Sequence, residues 1–411
     1  MPIFLNQSGK IEEMATLQTG TGTVLGPEER LARRRLILRD ALSLVTLFFI
    51  TVGLFLLTWL LYRSFTDHER ELGLRWKTRG EMALKAGHPE QAIDALRSAL
   101  AYVPSRDTEI ELATALAAAG KTQEATIYFT TLWESAPGDG NINLQLAQLY
   151  ARQGKEALAL RHYQLALDGT WQENGFDRRR DVRLEMAQYL LSRHENASAR
   201  TQLLIAASNA PNDPAIKLQI AGLLEQASDP GDALTIDRSV ADARNAPIAA
   251  LEGAGRNAFS LGMYRVASEY LGRALSGPQA AVLPDKEKMA NRDMLDTSLH
   301  VLLLYPSLNL PPRSRAERIL SIRKIARQRL TDCTGTATSA PPALAGIVSR
   351  WAQVPSTLTV SQLEQQPDLE QTILQLAYDT ETATAESCGA PSGDDALLLR
   401  IAHNPNAVDQ T

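Results

Sequence analysis

The apolar positions of this chain fall into three successive patterns, and each predicts a different kind of element. Residues Ala41 to Tyr62 (ALSLVTLFFITVGLFLLTWLLY) run for twenty-two positions without a charge. As a helix rising about 1.5 Å per residue, this run is about 33 Å long, enough for a hydrocarbon layer of about 30 Å. It has no polar stripe of the kind that marks a helix on the surface of a globular core. Trp59 and Tyr62 lie at one end, where amphipathic rings favour the headgroup zone. From about residue 72 to 280 the apolar positions instead recur in short helical stretches, two per unit. Beyond that come longer helical stretches with no common period.

The middle pattern is a repeat. Its units share a small residue, a glycine near a turn, an alanine five residues on, a large apolar residue four later, and then a proline. The first unit carries Gly80, Gly87, Ala92, Leu96, Ala99 and Pro104. The second carries Ala113, Gly120, Ala125, Phe129 and Pro137, and the third Ala147, Gly154, Ala159, Tyr163 and Ala166. The fourth keeps Ala187, Ala199 and Leu203 but has His194 where the others have glycine. The fifth keeps Ala221 and Ala233 and puts Asp237 at the large apolar position. The sixth restores the pattern with Gly255, Gly262, Ala267, Leu271 and Pro278. The recurring alanines (Ala92, Ala125, Ala159, Ala199, Ala233, Ala267) are spaced 33, 34, 40, 34 and 34 residues apart. Small residues let two helices approach closely, glycine suits a turn at positive φ, and proline stops the second helix. A single pair cannot bury its own apolar face, so each needs its neighbours.

These units resemble the tetratricopeptide repeat family, built from 34-residue pairs of antiparallel helices. The resemblance implies an all-α fold: one N-terminal transmembrane helix, an α-solenoid of about six helix-turn-helix repeats, and a helical C-terminal cap. It also implies a concave groove lined by the first helix of each pair, able to hold an extended or helical peptide of a partner protein. The candidate groove residues are Lys77, Glu81, Ile110, Leu144, Gln148 and Arg152, continuing with Leu184, Gln188, Leu218, Glu225, Arg256 and Phe259. One subclass, the chaperone adaptors, clamps a C-terminal carboxylate with a lysine and two asparagines. The corresponding positions here are Lys77, Glu81 and Glu111, and the two acids would repel a carboxylate.

The segments expected are a disordered cytoplasmic tail over 1–29, a basic flank and anchor over 30–66, and the repeat array over 67–280. A helical capping segment over 281–331 and a C-terminal helical segment over 332–411 complete the chain. No proline interrupts Trp59 to Ala86, so the anchor is expected to run on into the first repeat, with a kink near Phe65 to Gly73. The cluster Arg33, Arg34, Arg35 before the span favours an N-terminus held inside, and no small-residue cleavage site follows it. The span then reads as an uncleaved signal anchor of a bacterial inner membrane, with the C-terminal part periplasmic.

The net charge of −5 gives no general pull toward nucleic acid. Basic residues are local: Arg178, Arg179 and Arg180 lie in the longer third junction, either as a protruding loop or paired with Asp177 and Asp181. Arg313 to Arg329 form a basic amphipathic helix, either a solvated cap or a surface for acidic partners or lipid. Met294, Leu295, Leu299, Leu302 and Leu303 form the apolar face of the helix before it. Later helices are expected around Leu344 to Trp351, from Ser361 to Asp379, and around Asp394 to Ala402, after a linker from Cys333 to Ala343.

Candidate chemistry is sparse. The six histidines are scattered with no two-ligand spacing on one helix face, and no nucleophile elbow or phosphate loop occurs in a suitable setting. GTGTVLG (Gly20 to Gly26) lacks the lysine and hydroxyl of a phosphate loop. No cofactor, metal, catalytic residue or small-molecule substrate is expected. Cys333 and Cys388 are the two cysteines, and they either bridge in an oxidising compartment or remain separate thiols. The expected function is a non-catalytic membrane scaffold or adaptor for protein partners in the cell envelope, as in secretion, envelope assembly or cytochrome maturation. The alternative is a permanent structural subunit of a large membrane complex.

Overall fold

The computed structural model describes residues 27–335 and 342–410. Of the tail predicted over 1–29, residues 1–26, with the GTGTVLG stretch, lie outside the described residues, as do residues 336–341 of the predicted linker, while residues 27–29 open the first helix. The fold is all-α, and among the described residues no strand forms. In chain order the helices follow the repeat: α1 (Pro27–Lys85) packed with α2 (Pro89–Tyr102), then α3 (Arg106–Ala118), then α4 (Thr122–Ser135), and α5 (Gly140–Arg152) packed with α6 (Glu156–Asp168). Then come α7 (Gly175–Ser192) with α8 (Asn196–Ser208), α9 (Pro214–Gln226) with α10 (Pro230–Ala241), and α11 (Ile248–Ser260) with α12 (Tyr264–Ser276). The chain divides into two compact units, one ending at Ala119 and the other beginning at Gly120.

In the first unit, α1 continues without interruption from the charge-free run into the first pair. Its apolar stretch is long enough to cross a membrane and makes no buried contact. Burial begins at Gly73, where a Cβ would lie 3.0 Å from Val103. About two helical turns further, a Cβ on Gly80 would come within 2.6 Å of Leu96, so only glycine admits that close approach to α2. Ala92, Ile93 and Leu96 on α2 are fully buried beneath it.

The same rule holds in the second unit, where a Cβ on Gly255 would meet Leu271 at 2.6 Å. All six recurring alanines are fully buried. The six turns share one backbone conformation: φ is +76° at Gly87 and Gly120, +69° at Gly154 and +78° at Gly262. The fourth and fifth turns adopt it without glycine, at His194 (φ +63°) and Ser228 (φ +62°).

The longer third junction is not a protruding loop. Gly140 N–H donates to the Thr170 carbonyl at 2.9 Å, and Thr170 N–H donates to that of Gly138 at 2.8 Å. The Trp171 ring fills the space beside Gly140, and its indole N–H donates to Ala166 O at 3.0 Å. Arg178 to Arg180 lie within α7. Arg179 donates to the carbonyls of Leu167 (2.9 Å) and Gly169 (2.8 Å), while Arg180 pairs with Asp177 (2.8 Å) and Asp181 (3.0 Å).

After a 3-10 turn (Pro278–Val282), α13 (Asp285–Leu304) and α14 (Pro312–Thr334) lead to α15 (Pro342–Gln353), α16 (Val360–Glu364), α17 (Pro367–Cys388) and α18 (Gly393–His403). One apolar cluster joins Tyr264 of α12 to Val301, Ile319, Trp351, Ile373, Leu398 and Val408. The expected single helix from Ser361 to Asp379 is two helices. Pro367 has no N–H to continue α16, and it keeps Gln366 out of the helical region (φ −130°, ψ 76°). Of the expected apolar face of α13, Met294, Leu295 and Leu302 pack against the apolar clusters, and Leu299 and Leu303 do not. Asn291, Ser298 and Val301 are buried, whereas Leu299 and Leu303 are 45% and 67% exposed.

The basic helix α14 turns its arginines toward the protein. Arg318 donates to the carbonyls of Leu302 (2.7 Å) and Tyr305 (2.6 Å), closing the end of α13. Arg323 donates to Pro355 O at 2.7 Å, Arg329 to Gly389 O at 2.7 Å, and Arg315 pairs with the buried Glu370. These are carbonyl staples between segments, whereas Arg313 and Lys324 face solvent.

Candidate partner-binding surface

The first helix of each pair carries the predicted groove residues, and the structure engages most of them internally. In the first unit, Lys77 Nζ lies 3.3 Å from the Glu111 carboxylate and 3.8 Å from that of Glu81. Burial raises the Glu111 carboxyl above its ordinary pKa, and the Lys77 charge works against that shift. Lys77 is therefore already matched by two acids, and a peptide carboxylate approaching it would meet both. Ile110 is half-buried beside them.

In the second unit, Leu184 is buried and Leu144 packs against the same apolar cluster. Gln148 donates to Glu185 at 3.0 Å, and Glu185 also accepts the Tyr163 hydroxyl at 2.9 Å. Three consecutive helices, α5, α6 and α7, are tied through that one carboxylate. Burial and the neighbouring Glu185 push the Tyr163 hydroxyl well above its usual pKa. Arg152 and Gln188 are exposed, and Leu218 packs at the edge of the cluster formed by α10, α11 and α12.

A second polar knot lies between the fifth and sixth pairs. Glu225 accepts from Arg256 at 3.0 Å and from the Asn257 amide at 2.7 Å, and the same amide donates to Asp237 at 2.9 Å. Asp237 is only 2% exposed. Burial pushes its carboxyl to about 7, against the pull of the Asn257 hydrogen bond. Phe259 does not line an open groove: it stacks edge-on to Tyr264 at 5.5 Å, with the Arg400 guanidinium 5.4 Å above its ring.

Three partners escaped the sequence reading. Glu185 and Asn257 are ordinary polar residues on amphipathic helices, and only the contact between neighbouring pairs reveals them. Glu381 of α17 is fully buried, and neither of its carboxylate oxygens has a hydrogen-bond partner. Burial raises its pKa to about 8, with Asp395 adding to the rise and Arg329 opposing it. The available signal was its register, four and eight residues after the apolar Ala377 and Ile373. Cys333 and Cys388 are joined in a disulfide with Cα atoms 5.8 Å apart. Among the described residues, no group of three or more His, Cys, Asp or Glu is placed to hold a metal.

No protein-family model matches the sequence, and no curated protein matches it. In three dimensions the chain is similar to several solved helical-repeat structures. The pilF protein of Pseudomonas aeruginosa is 19% identical with a TM-score of 0.38, over 56% of this chain and 98% of that one. The TPR domain of P58(IPK) is 14% identical with a TM-score of 0.28, over 82% and 98%. The TPR2AB domain of yeast Sti1, solved in complex with pHSP90, is 14% identical with a TM-score of 0.24, over 56% and 99%. Likeness at this level carries no argument about role, and the helical-repeat fold rests on the pairs themselves.

Proposed function

We propose that this chain is a non-catalytic, membrane-anchored scaffold that uses its helix pairs to engage partner proteins. The observation that carries this reading is α1: a charge-free run of twenty-two residues, unburied in the protein, continues without a break into the first pair. Leaving that many large apolar side chains in water costs about 1.5–3 kcal/mol each, so the run calls for an apolar medium. A bilayer around Ala41–Tyr62 supplies it, and the arginines before the span favour a cytoplasmic N-terminus. The helix pairs then stand on the oxidising side, where a Cys333–Cys388 bridge persists. A bacterial envelope is the setting proposed, with exposed first-helix side chains such as Gln188 offered to a peptide or helix of the partner.

The test combines extraction and topology. In a cell-envelope preparation, the full chain should resist alkaline extraction and yield to detergent, and protease added outside the cytoplasm should digest residues beyond 66. Release by alkali, or digestion only from the cytoplasmic side, would sink the anchor or its orientation. The permanent-subunit reading draws on a different observation, the exposed apolar side chains Val282, Met289, Leu303 and Leu308 around α13. Monodisperse behaviour of the purified chain favours the scaffold, whereas loss of folding without co-purified proteins favours the subunit.

A further inference from the structure

The end of the second unit is closed by a segment that is covalently tied at one point. Cys388 is the last residue of α17, is exposed to solvent, and bridges to Cys333 near the end of α14. One to two turns inside that bridge, the facing surfaces of the two helices bury groups that satisfy one another poorly. Glu381, seven residues before Cys388, has no hydrogen bond on either oxygen, and Arg329, four residues before Cys333, leaves its Nε buried and unpartnered while its terminal nitrogen donates to Gly389 O. A buried polar group without a partner opposes closure, because water would solvate it once the helices part.

Beyond the bridge, the chain returns to the last repeat, where Leu398, Ile401 and Val408 are buried in one apolar cluster with Tyr264 and polar contacts add to the hold. Asn404 donates to Leu261 O at 3.0 Å, and Arg265 donates from its backbone to Val408 O at 3.1 Å and from its side chain to Asp409 O at 3.2 Å. Ser307 bonds the Asp409 carboxylate, and Arg400 covers Phe259. Phe259 occupies the register that lines a groove in a tetratricopeptide-like pair, so the returning segment covers the surface the sixth pair would offer a partner.

We infer that the Cys333–Cys388 bridge is a site of thiol–disulfide exchange with a protein dithiol, and that its reduction releases α18 and the chain end from the sixth pair. In the exchange, a thiolate of the dithiol attacks the exposed Cys388 sulfur. The Cys333–Cys388 bond breaks and Cys333 leaves as a thiolate that takes up a proton. The second thiol of the donor then attacks the mixed disulfide and frees Cys388. The donor ends as a disulfide and this chain as two thiols. With the bridge gone, hydration of Glu381 and of the Arg329 Nε favours parting of α17 from α14, and α18 follows because only four residues separate it from Cys388. Phe259 and Tyr264 are then uncovered for an apolar partner segment.

The experiment uses the full chain in detergent micelles, oxidised or treated with dithiothreitol, and reads thiol alkylation together with amide hydrogen exchange. Both cysteines should alkylate after reduction, and exchange should rise at least ten-fold over 381–410 and Leu261 to Arg265 while 140–240 stays unchanged. Glu381→Leu should restore protection in the reduced protein, because it removes the buried carboxyl that favours opening. Alkylation with unchanged exchange would make the bridge a passive staple and overturn the inference. Uniform loss of protection would overturn it too, as would thiols that never become reactive. None of these readouts needs a bilayer or a partner, so failure here is distinct from failure of the anchored-scaffold reading.

Discussion

At the scale of single residues, the turns of the repeat show where backbone conformation and sequence part company. Six turns take the same left-handed conformation, but His194 and Ser228 adopt it with a side chain, at a cost of about 1–2 kcal/mol each. Replacing either by glycine relieves that strain while loosening the unfolded chain. The net expectation is a gain of about 0.5–1 kcal/mol each, measured as a higher denaturation midpoint, whereas Gly154→Ala should lose a similar amount. The alanine register placed His194 at its turn, but Ser228 was hidden because the nearby glycine, Gly231, lies three residues later. Asp237 gives a prediction of opposite character. Its carboxyl titrates near 7 when folded and near its ordinary value of 3.8 when unfolded, so the folded state holds the proton more tightly. Stability from this group is full below about pH 4 and is lost as pH rises toward 7, by at most about 4 kcal/mol. Asp237→Asn should flatten that loss in denaturant midpoints taken from pH 4 to 8. An unchanged slope would assign the pH dependence to other groups, with Glu381 the next to examine.

At the scale of elements, α14 shows how a charged helix can be structural. Its arginines reach carbonyl groups at the ends of neighbouring segments, where a helix terminus leaves acceptors without an intrahelical donor. Arg318 is the clearest case, since two carbonyls of the α13 terminus depend on it. Arg318→Met keeps the stem and removes the donors. It should destabilise the second unit by about 1–3 kcal/mol, with faster amide exchange around Leu302 to Tyr305. Arg313→Gln, at a side chain 79% exposed, should change stability by less than about 0.5 kcal/mol. The amphipathic pattern showed that this helix is basic, but it could not show what the basic side faces. Its arginines find partners in segments up to sixty residues away, and sequence periodicity reports only on the helix that carries it. The α16–α17 break was different in kind: Pro367 was in plain view, and its missing N–H was enough to divide the run.

At the scale of the whole molecule, the repeat was legible because each pair sees only its neighbours, so the same small and large residues recur in the same places. The C-terminal cluster was not, since it draws Tyr264, Val301, Ile319, Leu398 and Val408 from segments with no shared period. The candidate surface lay between these extremes: its helices and faces were predictable, but the pairing of Lys77, Gln148, Glu225 and Arg256 with acids and amides on adjacent helices needed the fold. The continuity of α1 is the feature with the largest consequence for function. If Ala41–Tyr62 crosses a bilayer, the eleven residues from Tyr62 to Gly73 lift the first pair about 16 Å above the span as a rigid stalk. A scaffold fixed in this way presents its partner surfaces at a set height and azimuth, whereas a flexible linker would let them sweep the membrane surface. Spin labels on cysteines replacing Ser64 and Lys85, both exposed on α1, distinguish the two in lipid nanodiscs. A continuous helix over twenty-one residues requires a narrow distance distribution centred near 32 Å. A broad distribution, or a clearly shorter distance, would mean that the helix breaks between the membrane and the first pair, and the fixed-height scaffold would have to be abandoned.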